Sequence, residues 1–293
     1  MGLSLATAER WVRRWERQQE RYAVDREERF AVIADLVELI AASAAHRSLI
    51  VDLGCGPGSL AARLARRLPD ADIVAVDRDP LLLELARTHH ADAARYVDAV
   101  IGEPGWTEAL TLDRPLDAAV STTALHYLNP DTLRRTYGQL ASLLRPGGIL
   151  VNGAHPPPPA TPNRPRARAP GRRPGGAPRP GGPRPARTTH TAPPPPPPHT
   201  TPPRTAEHRG PRGGPRRRAF AHEDWSSWWA AIAEDPEMTD LFAEHRTRCS
   251  PTGTDNAARL SLPTHLRLLR QAGFAHAGPV WQYGDSCVVV AIR

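Results

Sequence analysis

The stretch VDLGCGPGSL, residues 51–60, runs from a short apolar strand through a glycine-rich turn into a helix. SLIVD (48–52) supplies the strand, and Leu60, Leu64 and Leu68 then recur at the spacing of one helix face. Gly54, Gly56 and Gly58 carry no Cβ, so backbone there can approach a ligand closely. The helix start that follows presents unpaired N–H groups at the positive end of a helix dipole, which predicts a carboxylate or phosphate as guest. Asp52 closes the first strand and Asp77 closes the next one, IVAVD (73–77). A carboxylate at that second position suits the two hydroxyls of a ribose.

The alternation continues on both sides of this unit. Residues 4–21 predict a charged helix with Trp11 and Trp15 on one face. Asp25 with Glu28 three residues on reads as a capping box before a helix carrying Phe30, Ile33, Val37 and Ile40. Asp79-Pro80 and Asn129-Pro130 are N-cap and N1 pairs for two further helices. The remaining strands are 96–101, LDAAVS (116–121) and ILVNG (149–153), the last preceded by the helix stop RPGG (145–148). Continuous apolar strands alternating with helices predict a parallel sheet covered on both faces. Towards the end, helices carry Trp225, Trp228, Trp229 and Ile232, then Leu241 and Phe242, then 263–272. PVWQY and SCVVVAI flank Gly284-Asp285, a dipeptide that favours a two-residue hairpin turn.

Between these blocks the composition changes abruptly. Of the chain's 33 prolines, 22 lie between His155 and Ala219, with 14 arginines, a single acid (Glu207) and no Leu, Ile, Val, Met or aromatic residue. Such a segment buries no core and is expected to be disordered. It also accounts for the charge. The whole chain is +7, so the rest is net acidic, and the basic balance says nothing about the folded blocks. Pro, Arg and Gly in these proportions also arise when a GC-rich gene is read out of frame. Three cysteines, an odd number, argue against a disulfide framework. No apolar run approaches the roughly 18 residues of a membrane span, and the charged start (Glu9, Arg10, Arg13, Arg14) has no signal-peptide core. A soluble cytoplasmic protein with no membrane association is expected, of undetermined oligomeric state.

VDLGCGPG, AVDRDP, LDAAVSTTALHYL and LRPGGILV, in that order and spacing, resemble the class I S-adenosylmethionine-dependent methyltransferases. The resemblance covers about 48–155 and 260–293. It implies a Rossmann-like three-layer α/β/α sandwich with a seven-stranded, mostly parallel sheet of order 3-2-1-4-5-7-6, its last strand antiparallel. It divides the chain into an N-terminal helical cap (1–47), a cofactor-binding half (48–155), the Pro/Arg/Gly-rich insert (156–218) and cap helices with the closing strands (219–293). It implies S-adenosylmethionine as cofactor. Asp52 would help hold the methionine amino group, Gly54, Gly56 and Gly58 would pass under the cofactor, and Asp77 would take the ribose. Val100 and Ile101 would flank the adenine, with Ser121 and Thr122 bordering the methionine part. Relatives often place an acid where Val100 stands; Asp98 and Glu103 lie on either side.

The implied reaction is methyl transfer to a small-molecule acceptor, with His126 as the candidate base; a hydrogen-bonded structural histidine is the plainer reading of that residue. Asp117, opening its strand, reads as structural, and Cys55 as packing. A nicotinamide fold would want G-x-G-x-x-G, whereas the third glycine here comes one position early. No Cys/His grouping has metal-ligand sequence spacing, so no metal is expected. Two other readings stand beside the enzyme: a nucleic-acid-associated protein or RNA methyltransferase using the Arg-rich insert, and a degenerate relative that binds cofactor with little activity.

Overall fold

A computed structural model of the chain describes residues 2–22, 25–154, 223–249, 260–284 and 286–293. These belong to one compact unit, Met1–Pro159 with Arg216–Arg293. The insert 156–218 lies outside the described residues, as does Asp285.

The elements follow in the order α1 (Leu5–Tyr22), α2 (Arg26–Ala42), β1 (Leu49–Leu53), α3 (Ser59–Arg67), β2 (Asp72–Asp77), α4 (Pro80–His89), β3 (Arg95–Asp98), α5 (Trp106–Ala109), β4 (Leu116–Thr122), α6 (Pro130–Leu143) and β5 (Leu144–Ala154). After the insert come α7 (Trp225–Ala233), α8 (Thr239–Arg248), α9 (Leu262–Gln271), β6 (His276–Tyr283) and β7 (Ser286–Ile292). The seven strands form one sheet of order β3-β2-β1-β4-β5-β7-β6. β1 to β5 pair in parallel, and β7 runs antiparallel to both β5 and β6. The expected Rossmann-like sandwich is therefore the fold observed.

Alternation along the strands divides the core. Val51, Leu53, Val74, Val76 and Leu150 point to the layer of α5, α6 and α9, where Trp106, Leu133, Tyr137, Leu140 and Leu269 are buried. Ile50, Ala75, Ala118, Val120 and Val151 point to the other layer, where Phe30, Ile33, Val37, Leu60 and Leu64 of α2 and α3 close over them. Strands buried on both faces explain the unbroken apolar runs. A third cluster joins α1, α4 and α7 through Trp11, Trp15, Leu81, Leu82, Leu85, Trp228 and Ile232. Edge strand β6 carries Pro279, next to a register shift, where a missing N–H costs no interior ladder bond.

Local signals met mixed outcomes. Asp79 accepts from Leu81 N at 3.0 Å and Leu82 N at 3.4 Å, and Asn129 from Thr132 N at 2.9 Å, so both cap–proline pairs start helices as read. Asp25 does not cap α2: its backbone is left-handed (φ 50°, ψ 43°) and its side chain makes no capping bond. β3 ends at Asp98 rather than 101, because the chain turns away through Gly102 (φ +88°), where a Cβ would stand 2.3 Å from Thr132 Cγ2. RPGG does not precede β5 but lies inside it, at an irregularity in the β4–β5 register. Tyr283 pairs with Ser286, the register a two-residue hairpin requires, and Gly284 has φ +55°.

Candidate functional site

β1 has β2 on one side and β4 on the other, so the chain leaves these strands towards opposite layers and a crevice opens at their C-terminal ends. The glycine loop sits there. Gly54, Gly56 and Gly58 all have positive φ (+70°, +54° and +83°), which L-residues with side chains rarely adopt. The first is also sterically required, since a Cβ on Gly54 would lie 2.2 Å from Ala124 Cβ.

The loop's amides are not free, contrary to the expectation of an anion site. Gly54 N and Cys55 N both donate to Val76 O (2.8 and 3.1 Å), Gly56 N to Asp77 Oδ2 (2.7 Å) and Gly58 N to Cys55 O (3.0 Å). What the crevice offers instead is carboxylate. Asp77 Oδ1 accepts from Arg78 N and Asp79 N (2.8 and 3.0 Å), which turns the carboxyl towards the loop and clamps it. Burial raises its pKa, the three N–H groups opposing. Asp52 is almost wholly buried, and its Oδ2 has no hydrogen-bond partner among the described residues. Burial first, and the charge of Asp77 in addition, push the Asp52 carboxyl up to about 7 against an opposing bond from the Ala61 backbone. Two acids, Asp77 half-buried and Asp52 buried with an unmatched oxygen, select a cation or hydroxyl donors and disfavour phosphate.

Helix α1 lies over this loop. A Cβ on Gly56 would meet Trp15 at 3.6 Å. The next residue, Glu16, accepts from the Ser59 hydroxyl at the first turn of α3 and pairs with Arg26 and Arg63. Burial alone would raise the Glu16 pKa; the two arginines and Ser59 outweigh it and hold the carboxyl down at about 2. Carboxylates of the protein itself thus meet the first turn of α3: Glu16 at the Ser59 hydroxyl and Asp52 at the Ala61 N–H. Glu16 was not legible as a partner because nothing in a helical charge pattern says which acid reaches a loop 43 residues away.

The other anticipated residues are placed as follows. Val100 is partly exposed in the turn after β3, and Ile101 packs against the core beside it. Ser121 is fully buried and its hydroxyl donates to Leu53 O (2.9 Å), which ties β4 to the end of β1. His126 is half-buried in a 3-10 turn, Leu125–Tyr127, with its ring 4.2 Å from that of the exposed Tyr127. Asp117 is buried at the opposite end of the sheet, holding Leu49 N, His46 and Arg145, a structural arrangement. Cys55 is buried, and burial raises its pKa well above the usual thiol value, so it is no nucleophile. The tryptophans of α7 build the cap cluster: Trp228 is fully buried, edge-on to Trp11 and Trp15.

Residues 50–148 match a family model described as a methyltransferase domain. This part of the chain is similar to methyltransferase domains. An uncharacterized methyltransferase of Mycobacterium tuberculosis is 42% identical over 106 residues, 35% of this chain and 48% of that protein. Trans-aconitate 2-methyltransferase of Methylobacterium radiotolerans is 38% identical over 106 residues, 35% of this chain and 36% of its own. The chain thus spans about half or less of the length of these relatives. Among solved structures, magnesium protoporphyrin IX methyltransferase from Synechocystis, with bound S-adenosylhomocysteine, aligns with a TM-score of 0.44 and 14% identity, over 90% of this chain and 83% of that one. The matched segment contains the glycine loop, Asp52, Asp77 and His126. It stops short of α7 and α8, and sequence reasoning also missed a side-chain cluster joining α8 to the matched segment: Asp79, His245 and Cys249 come together although no metal-ligand spacing announces them.

Proposed function

We propose that this methyltransferase-domain protein transfers a methyl group from S-adenosylmethionine to a small-molecule acceptor. The observation that carries the reading is the unmatched, buried Asp52 Oδ2 beside Asp77 under a glycine loop. An amino-acid ammonium group satisfies that oxygen, and a ribose suits the second carboxylate. When bound, the cofactor supplies a sulfonium methyl that is already electrophilic, so the chain's task is orientation and water exclusion. Asp52 takes the ammonium, Asp77 the ribose hydroxyls, and Val100 and Ile101 the flanks of the adenine. Gly54, Gly56 and Gly58 let the loop approach. Ser121 acts through the Leu53 carbonyl it holds, and His126 accepts a proton where the acceptor arrives protonated. The acids disfavour a pyrophosphate-bearing cofactor. The name of the trans-aconitate relative supports a small acceptor. Free Cys55, Cys249 and Cys287 support a reducing, cytoplasmic setting, and among the described residues no helix is long and apolar enough to cross a membrane.

Calorimetry of the full chain with S-adenosylmethionine and S-adenosylhomocysteine tests the reading. Binding of both is expected, and Asp77→Ala is expected to weaken it at least about tenfold, the loss of a charge-assisted bond. An unchanged affinity in that variant contradicts the ribose assignment, and no binding of either compound overturns the function.

A further inference from the structure

We propose that Asp79, His245 and Cys249 form a binding site for a zinc-like divalent metal ion that pins cap helix α8 to the start of α4. One carboxylate oxygen, one imidazole nitrogen and the thiol sulfur all lie within 4.8 Å of one another. The set of O, N and S donors suits a borderline-soft ion and is a poor match for calcium or magnesium.

Each donor is held in place by its neighbours, and the bond between Asp79 Oδ2 and His245 Nδ1 is the one a metal ion would replace. Asp79 divides its carboxylate: Oδ1 caps α4 through Leu81 N and Leu82 N, and Oδ2 faces His245 Nδ1 at 2.8 Å. The His245 ring stacks on Trp229, with centroids 4.0 Å apart and planes within 16°, which fixes its orientation. Cys249 lies one helical turn after His245, on the same face, and its backbone N–H donates to His245 O at 2.7 Å. Two ligands therefore come from one rigid helix end and the third from a helix start 166 positions away.

The same three residue types could instead form a nucleophilic relay, with carboxylate, imidazole and thiol in series. A relay uses the two ring nitrogens on opposite sides of the imidazole and separates carboxylate oxygen from sulfur by roughly 7 Å, two hydrogen bonds plus a ring. Here carboxylate oxygen, ring nitrogen and sulfur all lie within 4.8 Å of one another, shorter than a relay's span and compatible with coordination. The site is independent of the methyltransferase reading, since it is measured without cofactor.

The test uses the full chain, free of any polyhistidine tag, stripped with a chelator and titrated with Co2+. One equivalent is expected to give a thiolate-to-cobalt charge-transfer band that Zn2+ displaces. Cys249→Ser removes the band. His245→Ala, and Asp79→Asn, which keeps a competent helix cap, each weaken Co2+ at least about tenfold. Zn2+ raises the melting temperature of the unsubstituted chain and leaves that of Cys249→Ser unchanged. Absence of the thiolate band, or equal Co2+ affinity with and without His245, overturns the proposal. Rapid alkylation of Cys249 at mildly acidic pH with no effect of metal also overturns it, in favour of a thiolate–imidazolium pair.

Discussion

Asp52 is a carboxyl whose burial leaves it close to half-protonated at neutral pH, and its chemistry follows from that. Its folded pKa of about 7 lies above the ordinary carboxyl value of 3.8, so the folded chain holds a proton that the unfolded chain releases. Stability of the free protein contributed by this group is therefore fully present below about pH 4 and lost as pH rises through about 7. Ligand binding runs the other way, because an ammonium needs the carboxylate form. Affinity for S-adenosylmethionine is expected to rise several-fold between about pH 6 and about pH 8, and Asp52→Asn to bind weakly with a flat pH profile. Calorimetry at the two pH values checks both; an unsubstituted profile as flat as the variant's removes Asp52 from the amino-group site. The sequence made Asp52, Asp77 and the three glycines visible because strand, turn and helix keep them in fixed local order. It hid the state of the loop amides, because their acceptors, Val76 O and Asp77, come from the neighbouring strand and depend on its register.

Among the elements, α1 is tied to two neighbouring helices through one side chain. Glu16 joins it to α2 through Arg26 and to α3 through Ser59 and Arg63. Its pKa falls from 4.5 to about 2 on folding, so the stability it contributes is present above about pH 4.5 and lost as pH falls through about 2. The shift corresponds to roughly 3 kcal/mol, fewer after solvent screening of a partly exposed group. Glu16→Gln is expected to cost about 2 kcal/mol at neutral pH and to lose most of that difference near pH 2. Urea unfolding at both pH values reads it, and a pH-independent cost rules out the ionic tie. The elements themselves were legible wherever the signal is local. Asp79-Pro80 and Asn129-Pro130 cap their own helices within three residues. Asp25 fails the same test because its own backbone is left-handed, while its neighbour Arg26 is drawn across to Glu16. The end of β3 was overrun because the side chain that closes on Gly102, Thr132, belongs to α6.

At the scale of the whole molecule the strands were readable, since buried parallel strands announce themselves as apolar runs and the closing hairpin by its turn, while their order came from the resemblance to the class I methyltransferases. The cap was not readable: α1, α4 and α7 meet through aromatic side chains far apart in sequence, and helical periodicity gives their faces without their partners. Composition does settle where the charge lies. The chain is +7 while the Arg-rich insert alone carries 14 arginines against one acid, so the sheet domain and cap are net acidic and disfavour polyanions. That separation allows the small-molecule and RNA readings to be told apart. The compact unit excludes 160–215, and exchanging that segment for a short Gly/Ser linker is expected to leave its melting temperature within a few degrees, since loop length enters stability only logarithmically. Affinity for S-adenosylmethionine should change by no more than about twofold, because no candidate cofactor residue lies in the replaced segment. Any RNA binding by the full chain should fall steeply with salt and vanish with the insert. Methyl transfer to RNA by the full chain, lost in the shortened one while cofactor affinity holds, would make the insert part of acceptor recognition and displace the small-molecule reading.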